Sequence, residues 1–189
     1  MTRIVGGIAG GRRLAVPPGR DVRPTAERAR EALASAVEAR LGGLRGQTVL
    51  DLFAGTGAVG LELLSRGAAA VTLVESSPAV RKVLEANVAA LGLTGATVLA
   101  ARAEAMLATT GESWDVVFVD PPYALDVQPI VDAAAAHTRR LLVVERDHRS
   151  APPSWPEGFE ALHHRRYGDS ALWYGLRSCA VAASDAGNS

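Results

Sequence analysis

From Gln47 onward, short runs of apolar residues alternate with stretches of helical periodicity. Thr48–Leu52, Ala70–Glu75, Ala96–Ala101, Asp115–Val119 and Leu141–Glu145 read as strands. Between them lie predicted helices over Ala58–Arg66, Ser77–Gly92, Glu104 to about Ala108, and Val127–His137. Ser77-Pro78 combines an N-cap serine with a proline at the first helical position, and Gly92 supplies the stop. Runs such as VVFV (116–119) and LLVV (141–144) have no polar alternation, which suits strands covered on both faces. That pattern predicts a mainly parallel sheet with helices on both sides.

The two ends differ from this middle. Arg3–Ala9 and Arg12–Val16 read as strands of a hairpin turning at Gly10-Gly11, and Pro17-Pro18-Gly19 stops it. Thr25 is a candidate N-cap for a helix over Ala26–Leu41, whose apolar stripe is Ala29, Leu33, Ala36, Val37 and Leu41. After the last parallel strand, Phe159–Arg166 and Ala171–Leu176 form a predicted antiparallel hairpin, and residues 180–189 read as a frayed tail. The expected fold is a doubly wound, Rossmann-like α/β sheet of seven strands. The expected division is residues 1–24 as a β-hairpin extension, 25–178 as the main domain and 179–189 as a disordered tail.

Composition narrows the chemistry. Cys179 is the only cysteine, so disulfides and multi-thiolate metal sites within the chain are excluded. His137, His148, His163 and His164 lack metal-ligand spacing and read as solvated or packing residues, so no metal is expected. No apolar run approaches the roughly 18 residues of a membrane helix and no export signal opens the chain, which predicts a cytoplasmic protein with no membrane partner. The formal net charge is +0, yet residues 1–50 carry nine arginines against four acids, and residues 51–126 reverse that bias. A basic leading segment beside an acidic core suggests one surface facing a polyanion.

Two motifs carry the candidate chemistry. Asp51-Leu52-Phe53-Ala54-Gly55-Thr56-Gly57 joins a buried strand to a glycine turn, where a backbone can approach a nucleotide-like ligand closely. Asp51 suits a cationic ligand head, and Glu75 at the tip of the next strand suits ribose hydroxyls. Gly55, Gly57 and Gly60 also match the G-x-G-x-x-G spacing of dinucleotide folds. Against that rival stand the acid four residues before the first glycine and a second motif with no dehydrogenase counterpart.

That second motif is Asp120-Pro121-Pro122-Tyr123, about 70 residues downstream and also at a strand end. An aromatic exocyclic amine is a poor nucleophile because its lone pair is conjugated into the ring. Asp120 and the Pro121 carbonyl can accept hydrogen bonds from its two N–H groups, and the prolines stiffen the backbone that does so. Tyr123 can stack on the base, a contact worth about 1–3 kcal/mol. Together the motifs indicate methyl transfer from S-adenosylmethionine to such an amine.

Arg3-Ile4-Val5-Gly6-Gly7, Gly11-Arg12-Arg13-Leu14, Arg23-Pro24-Thr25 with Arg28, Arg30 and Glu31, both motifs above, and Tyr167-Gly168-Asp169 add a closer likeness. Over residues 3 to about 176 the chain resembles the RsmD family, methyltransferases acting on the N2 amine of a guanine in bacterial small-subunit ribosomal RNA. The resemblance implies Asp120, Pro121 and Tyr123 as catalytic, and Asp51, Phe53, Gly55, Gly57, Glu75 and Ala103 as cofactor contacts. Arg102 and Glu104 remain alternatives to Ala103 beside the adenine. Arg3, Arg12, Arg13, Arg20 and Arg23 become RNA contacts on a mobile clamp, with ribosomal RNA or a part-assembled small subunit as partner and a monomer as the working form. The competing readings are a DNA adenine-N6 or cytosine-N4 methyltransferase, which normally needs a larger target-recognition domain, and a noncatalytic RNA-binding assembly factor.

Overall fold

Strands without a polar face settle at the centre of this molecule. A computed structural model describes residues 2–17, 24–122 and 124–178. In chain order the elements are β1 (Thr2–Arg3), β2 (Arg13–Leu14), α1 (Pro24–Leu41), β3 (Thr48–Asp51), α2 (Ala58–Ser65), β4 (Ala70–Val74), α3 (Pro78–Leu91), β5 (Ala96–Leu99), α4 (Ala103–Thr109), β6 (Trp114–Val119), α5 (Gln128–Ala136), β7 (Thr138–Asp147), β8 (Phe159–Ala161), β9 (Arg165–Tyr167) and β10 (Ser170–Arg177). The main sheet runs β5-β4-β3-β6-β7-β10-β8, with β9 also pairing β10. Its first five strands are parallel, and β10 is antiparallel to both β7 and its outer neighbours. The seven expected positions are therefore filled by eight strands, because the outermost is shared by two short ones.

The alternation of each buried strand divides the core in two. Val49, Val71, Leu73, Val116, Phe118, Leu141 and Val143 face α1, α2 and α3. Leu50, Leu52, Val117, Val119, Leu142 and Val144 face α4 and α5. Gly60 lets α2 sit close on the sheet, since a Cβ there would lie 2.5 Å from Leu73 Cδ2 and 2.8 Å from Val71 Cγ2. The expected caps of α3 are present, with Ser77 accepting from Val80 N–H and Gly92 in the left-handed region at φ 61°.

The N-terminal segment forms the expected antiparallel hairpin, but a shorter one with its turn placed differently. Only two residues on each side pair, Thr2 with Leu14 and Arg3 with Arg13. The chain between them is a looped arm in which Gly7 and Gly11, not Gly10, take positive φ. Local glycine spacing suggested the turn at Gly10-Gly11; contact with α2 decides it instead. A Cβ on Gly7 would lie 1.9 Å from Ser65 O, and one on Gly6 2.7 Å from the Arg66 guanidinium. Glu62 of α2, fully buried, accepts from Val5 N–H at 2.7 Å and Gly6 N–H at 2.8 Å. Ser65 Oγ donates to Gly6 O at 2.6 Å and accepts from Ala9 N–H at 2.9 Å. Ile4, Ala9 and Leu14 are buried in the same core as α1 and α2. In this structure the arm is docked along α2 and contributes core.

At the other end, Phe159–Arg166 breaks into β8 and β9 around Leu162–His164. Leu162 N–H still donates to Tyr174 O at 2.8 Å across the break. Trp155 lies flat on Gly175, where a Cβ would meet its ring at 2.4 Å.

Candidate active site

Strands β3, β4 and β5 lead to one side of the sheet and β6 and β7 to the other, so the order of strands reverses between β3 and β6. In open α/β sheets the crevice beyond the carboxyl ends at that point is where ligands bind. Register fixes what lines it. Asp51 pairs with Leu73 on one side and Phe118 on the other. Two residues further along each chain stand Phe53, Glu75 and Asp120, so the candidate residues share one edge across three adjacent strands.

Asp51 is 1% exposed. Its Oδ2 accepts from Gly60 N–H at 3.2 Å, while Oδ1 is buried and makes no well-aligned hydrogen bond, the Phe53 N–H near the carboxyl being its one weak donor. Burial pushes its carboxyl up to about 7, against the backbone N–H groups of Gly60 and Phe53, with the charges of Glu75 and Glu145 adding to the rise. A buried carboxylate oxygen with a spare lone pair is costly unless something supplies a donor. A cationic, hydrogen-bonding ligand head would do so.

Glu75 is half-buried and already organises the turn, accepting from Gly55 N–H at 3.1 Å through Oε2 and from Ser77 N–H at 2.7 Å through Oε1. The glycines divide their work. Gly55, at φ 55°, has only Phe53 O within 4 Å of a notional Cβ, at 3.9 Å, so space lies open beside it. Gly57, at φ 82°, opens α2 and is packed so tightly that a Cβ would fall 2.5 Å from Leu84. Phe53 is half-buried against the α4–α5 core. The space by Gly55, the buried Asp51 Oδ1 and the carboxylate of Glu75 fit a ligand carrying both a cationic amino-acid head and a ribose.

Asp120 stands half-buried directly after β6, followed by buried Pro121 and exposed Pro122. The Pro122 carbonyl accepts from Leu125 N–H at 2.9 Å, which pins the far side of the loop. Tyr123, Arg20 and Arg23 lie outside the described residues. Ala103 is 3% exposed in the core at the start of α4. Its neighbours Arg102 and Glu104 pair with each other at 3.6 Å on the surface. Next to Asp120 on the sheet edge is Glu145, raised by burial and held back by a hydrogen bond from Ser170.

The arginines predicted to meet RNA are not equivalent. Arg12 Nη1 donates to Leu91 O at 2.6 Å and its Nη2 to Ala90 O, so its charge caps the end of α3. Arg3 is paired with Glu27 at 3.5 Å, and Arg13 is exposed. Three further residues escaped the sequence reading: Glu62, Ser65 and Asn87. All are polar and buried on helices whose neighbours at helical spacing are apolar, and that mismatch was their available signal.

A family model described as "Conserved hypothetical protein 95" matches residues 2–175. The ribosomal RNA small subunit methyltransferase D of Escherichia coli strain K12 is 34% identical over 194 residues, covering 97% of this chain and 93% of that one. The chain belongs to the RsmD family. A solved structure, that of a hypothetical protein of Thermus thermophilus, superposes with a TM-score of 0.77 at 34% identity, over 95% of this chain and 100% of that chain. Magnesium protoporphyrin IX methyltransferase from Synechocystis PCC 6803, solved with S-adenosylmethionine bound, shares the fold alone, with a TM-score of 0.65 at 17% identity over 84% of this chain and 86% of that one. The RsmD-family fold thus carries the methyltransferase sheet, with the arm docked beside it. No helix among the described residues is long and apolar enough to cross a membrane.

Proposed function

We propose that this chain transfers a methyl group from S-adenosylmethionine to the exocyclic N2 amine of a guanine in small-subunit ribosomal RNA. The observation that carries the reading is the shared edge formed by Asp51, Glu75 and Asp120 at the point where strand order reverses. The family supports it, since the Escherichia coli relative is named for methylation of that RNA. When bound, S-adenosylmethionine supplies an electrophilic methyl group on a sulfonium.

The chain's residues supply position and polarity. Asp51 meets the amino-acid head with its buried Oδ1, and Glu75 takes the ribose hydroxyls. Asp120 accepts a hydrogen bond from one N–H of the guanine amine, and the Pro121 carbonyl takes the second. Holding both protons in the plane of the ring directs the nitrogen lone pair out of it, toward the methyl donor. Asp120 also stabilises the positive charge that grows on the nitrogen as it is alkylated, and stands where the departing proton is released.

The decisive experiment incubates the protein with small-subunit particles from cells lacking its gene and labelled S-adenosylmethionine, followed by nucleoside analysis. Label in N2-methylguanosine is expected. Label in adenine or cytosine of DNA, or none in RNA, overturns the reading.

A further inference from the structure

Away from the Asp120 loop, the break between β8 and β9 exposes four consecutive side chains, His163, His164, Arg165 and Arg166. We infer that this corner is a second RNA contact, which holds the strand flanking the target nucleotide while the base enters the Asp120 site. The inference rests on the ribosomal-RNA reading above.

Register ties the corner to the site. Arg165 pairs with Leu172, and Leu172 pairs with Glu145. Glu145 is one residue beyond Val144, the partner of Val119, and Asp120 is one beyond Val119. Arg165 and Asp120 therefore lie in one row across the sheet, three strands apart. At about 4.8 Å per strand that is roughly 14 Å, a span that a few nucleotides of single strand cover. An unpaired strand whose base is withdrawn into the Asp120 loop passes the corner with its backbone.

The chemistry of the corner suits that occupant. Arg165 is exposed and, with Arg28 and Glu31, lines a shallow groove between α1 and β9. Arg166 uses Nε to hold Gly168 O at 3.1 Å, which fixes the turn and leaves the rest of its guanidinium exposed. By contrast, Arg40 lies over the Tyr174 ring and Arg12 caps α3, so those charges are already used inside the protein. Beside the arginines is a stack of rings: His164 lies on Trp173 with centroids 4.2 Å apart, and His163 on His164 at 5.8 Å. The exposed outer face of that stack is a platform for an unpaired base, and the arginines are placed for its phosphates. Arginines beside a ring stack match a nucleic acid strand better than an acidic protein, which would satisfy the charges and leave the stack unused.

The test measures binding to deproteinised small-subunit ribosomal RNA across a salt series. The parent is compared with a variant carrying Arg165→Ala and Arg166→Ala, and with one carrying Arg165→Lys and Arg166→Lys. The alanine pair is expected to weaken binding roughly tenfold and to make the slope of log K against log salt shallower by about 1.4, or about 0.7 for each phosphate no longer neutralised. The lysine pair restores the slope, and His163→Ala weakens binding without changing it. Cofactor affinity and melting temperature serve as folding controls and stay at parental values. Unchanged affinity and slope in the alanine pair overturn the inference. A loss seen only with assembled particles also overturns it, in favour of a ribosomal protein as the partner of this corner. A parent that neither binds nor methylates RNA removes the functional reading itself, and the inference with it.

Discussion

Asn87 and Ala15 exchange two hydrogen bonds across 72 positions of sequence: Ala15 N–H donates to Oδ1 at 2.7 Å, and Nδ2 donates to Ala15 O at 3.0 Å. The same Nδ2 reaches Thr56 O at 2.9 Å. One buried amide thus joins the end of the N-terminal arm, the middle of α3 and the glycine turn of the candidate cofactor site. The arm and the turn are held in one arrangement by a side chain that needs to touch neither substrate.

Replacing Asn87 with alanine strands those backbone groups in a site that is 3% exposed. Leaving buried polar groups unpaired costs about 1–3 kcal/mol each. The variant is expected to melt lower and to bind S-adenosylmethionine more weakly, and Asn87→Asp to do no better, because it keeps the acceptor for Ala15 N–H but sets a buried carboxylate against the Ala15 and Thr56 carbonyls. Calorimetry showing parental cofactor affinity in Asn87→Ala separates the arm from the turn and refutes the link.

On the proposed reading, in which its side chain faces the amine, Asp120→Ala is expected to abolish methyl transfer while leaving cofactor affinity nearly unchanged. Asp120→Asn keeps one acceptor oxygen but loses the charge, and retains partial activity. Single-turnover transfer by the alanine variant at the parental rate removes Asp120 from the chemistry.

For Glu75 the structure sharpens the expectation. Its carboxylate holds the N–H groups of Gly55 and Ser77, so Glu75→Ala loosens the turn as well as deleting the proposed ribose contact. A hydrogen bond to a charged group contributes about 1.5–3 kcal/mol, so cofactor affinity is expected to fall roughly ten- to a hundredfold or more. RNA affinity measured without cofactor stays near the parent; a matching loss there points to general unfolding instead.

The parallel strands and the residues at their tips were legible in the sequence because a strand covered on both faces is written as an unbroken apolar run. Asp51, Glu75 and Asp120 follow such runs directly. The turn of the N-terminal hairpin is not legible, for the opposite reason. Gly6 and Gly7 are required by contact with Ser65 and Arg66, far along the chain, and local spacing offered Gly10-Gly11 as the simpler turn. The far end of β7 is hidden by Arg146 and Asp147, polar residues that stay in the ladder because Ala171 and Ser170 of β10 pair with them, and the near end by Arg139 and Arg140, which lie where the pairing with β6 shifts register. Of the two candidate glycines, Gly57 is packed against Leu84 and Gly55 lies beside open space.

Asp51 also predicts a pH dependence. Its carboxyl binds a proton more tightly in the folded chain, about 7 against an ordinary 3.8. The associated stability is complete below pH 4 and is lost as pH rises through about 7, on the order of 4 kcal/mol in all. Asp51→Asn is expected to flatten this part of the melting-temperature profile. A cation seated against Asp51 favours the ionised form, so cofactor affinity in the parent weakens as pH falls below about 7. A parental profile unaltered in Asp51→Asn shows that another group titrates.

The arm gives the most direct test of what holds the fold together. Glu62 is 0% exposed and meets the Val5 and Gly6 N–H groups, Arg66 Nε at 2.8 Å and Arg30 Nε at 3.7 Å. Removing one partner of a buried ion pair costs about 3–5 kcal/mol, because the remaining charge stays buried. In a chain of this length that corresponds to a fall of roughly 6–20 °C in melting temperature for Glu62→Gln. Deleting residues 1–17 is expected to do more. It leaves Glu62 and Ser65 facing solvent or an apolar gap, and it strips Ile4 and Leu14 from the core, worth about 1.5–3 kcal/mol each. The truncated chain should therefore aggregate or melt far below the parent. If it instead folds with the parent's stability and binds cofactor as tightly, the arm is a surface appendage and the buried Glu62 network is not what secures α2.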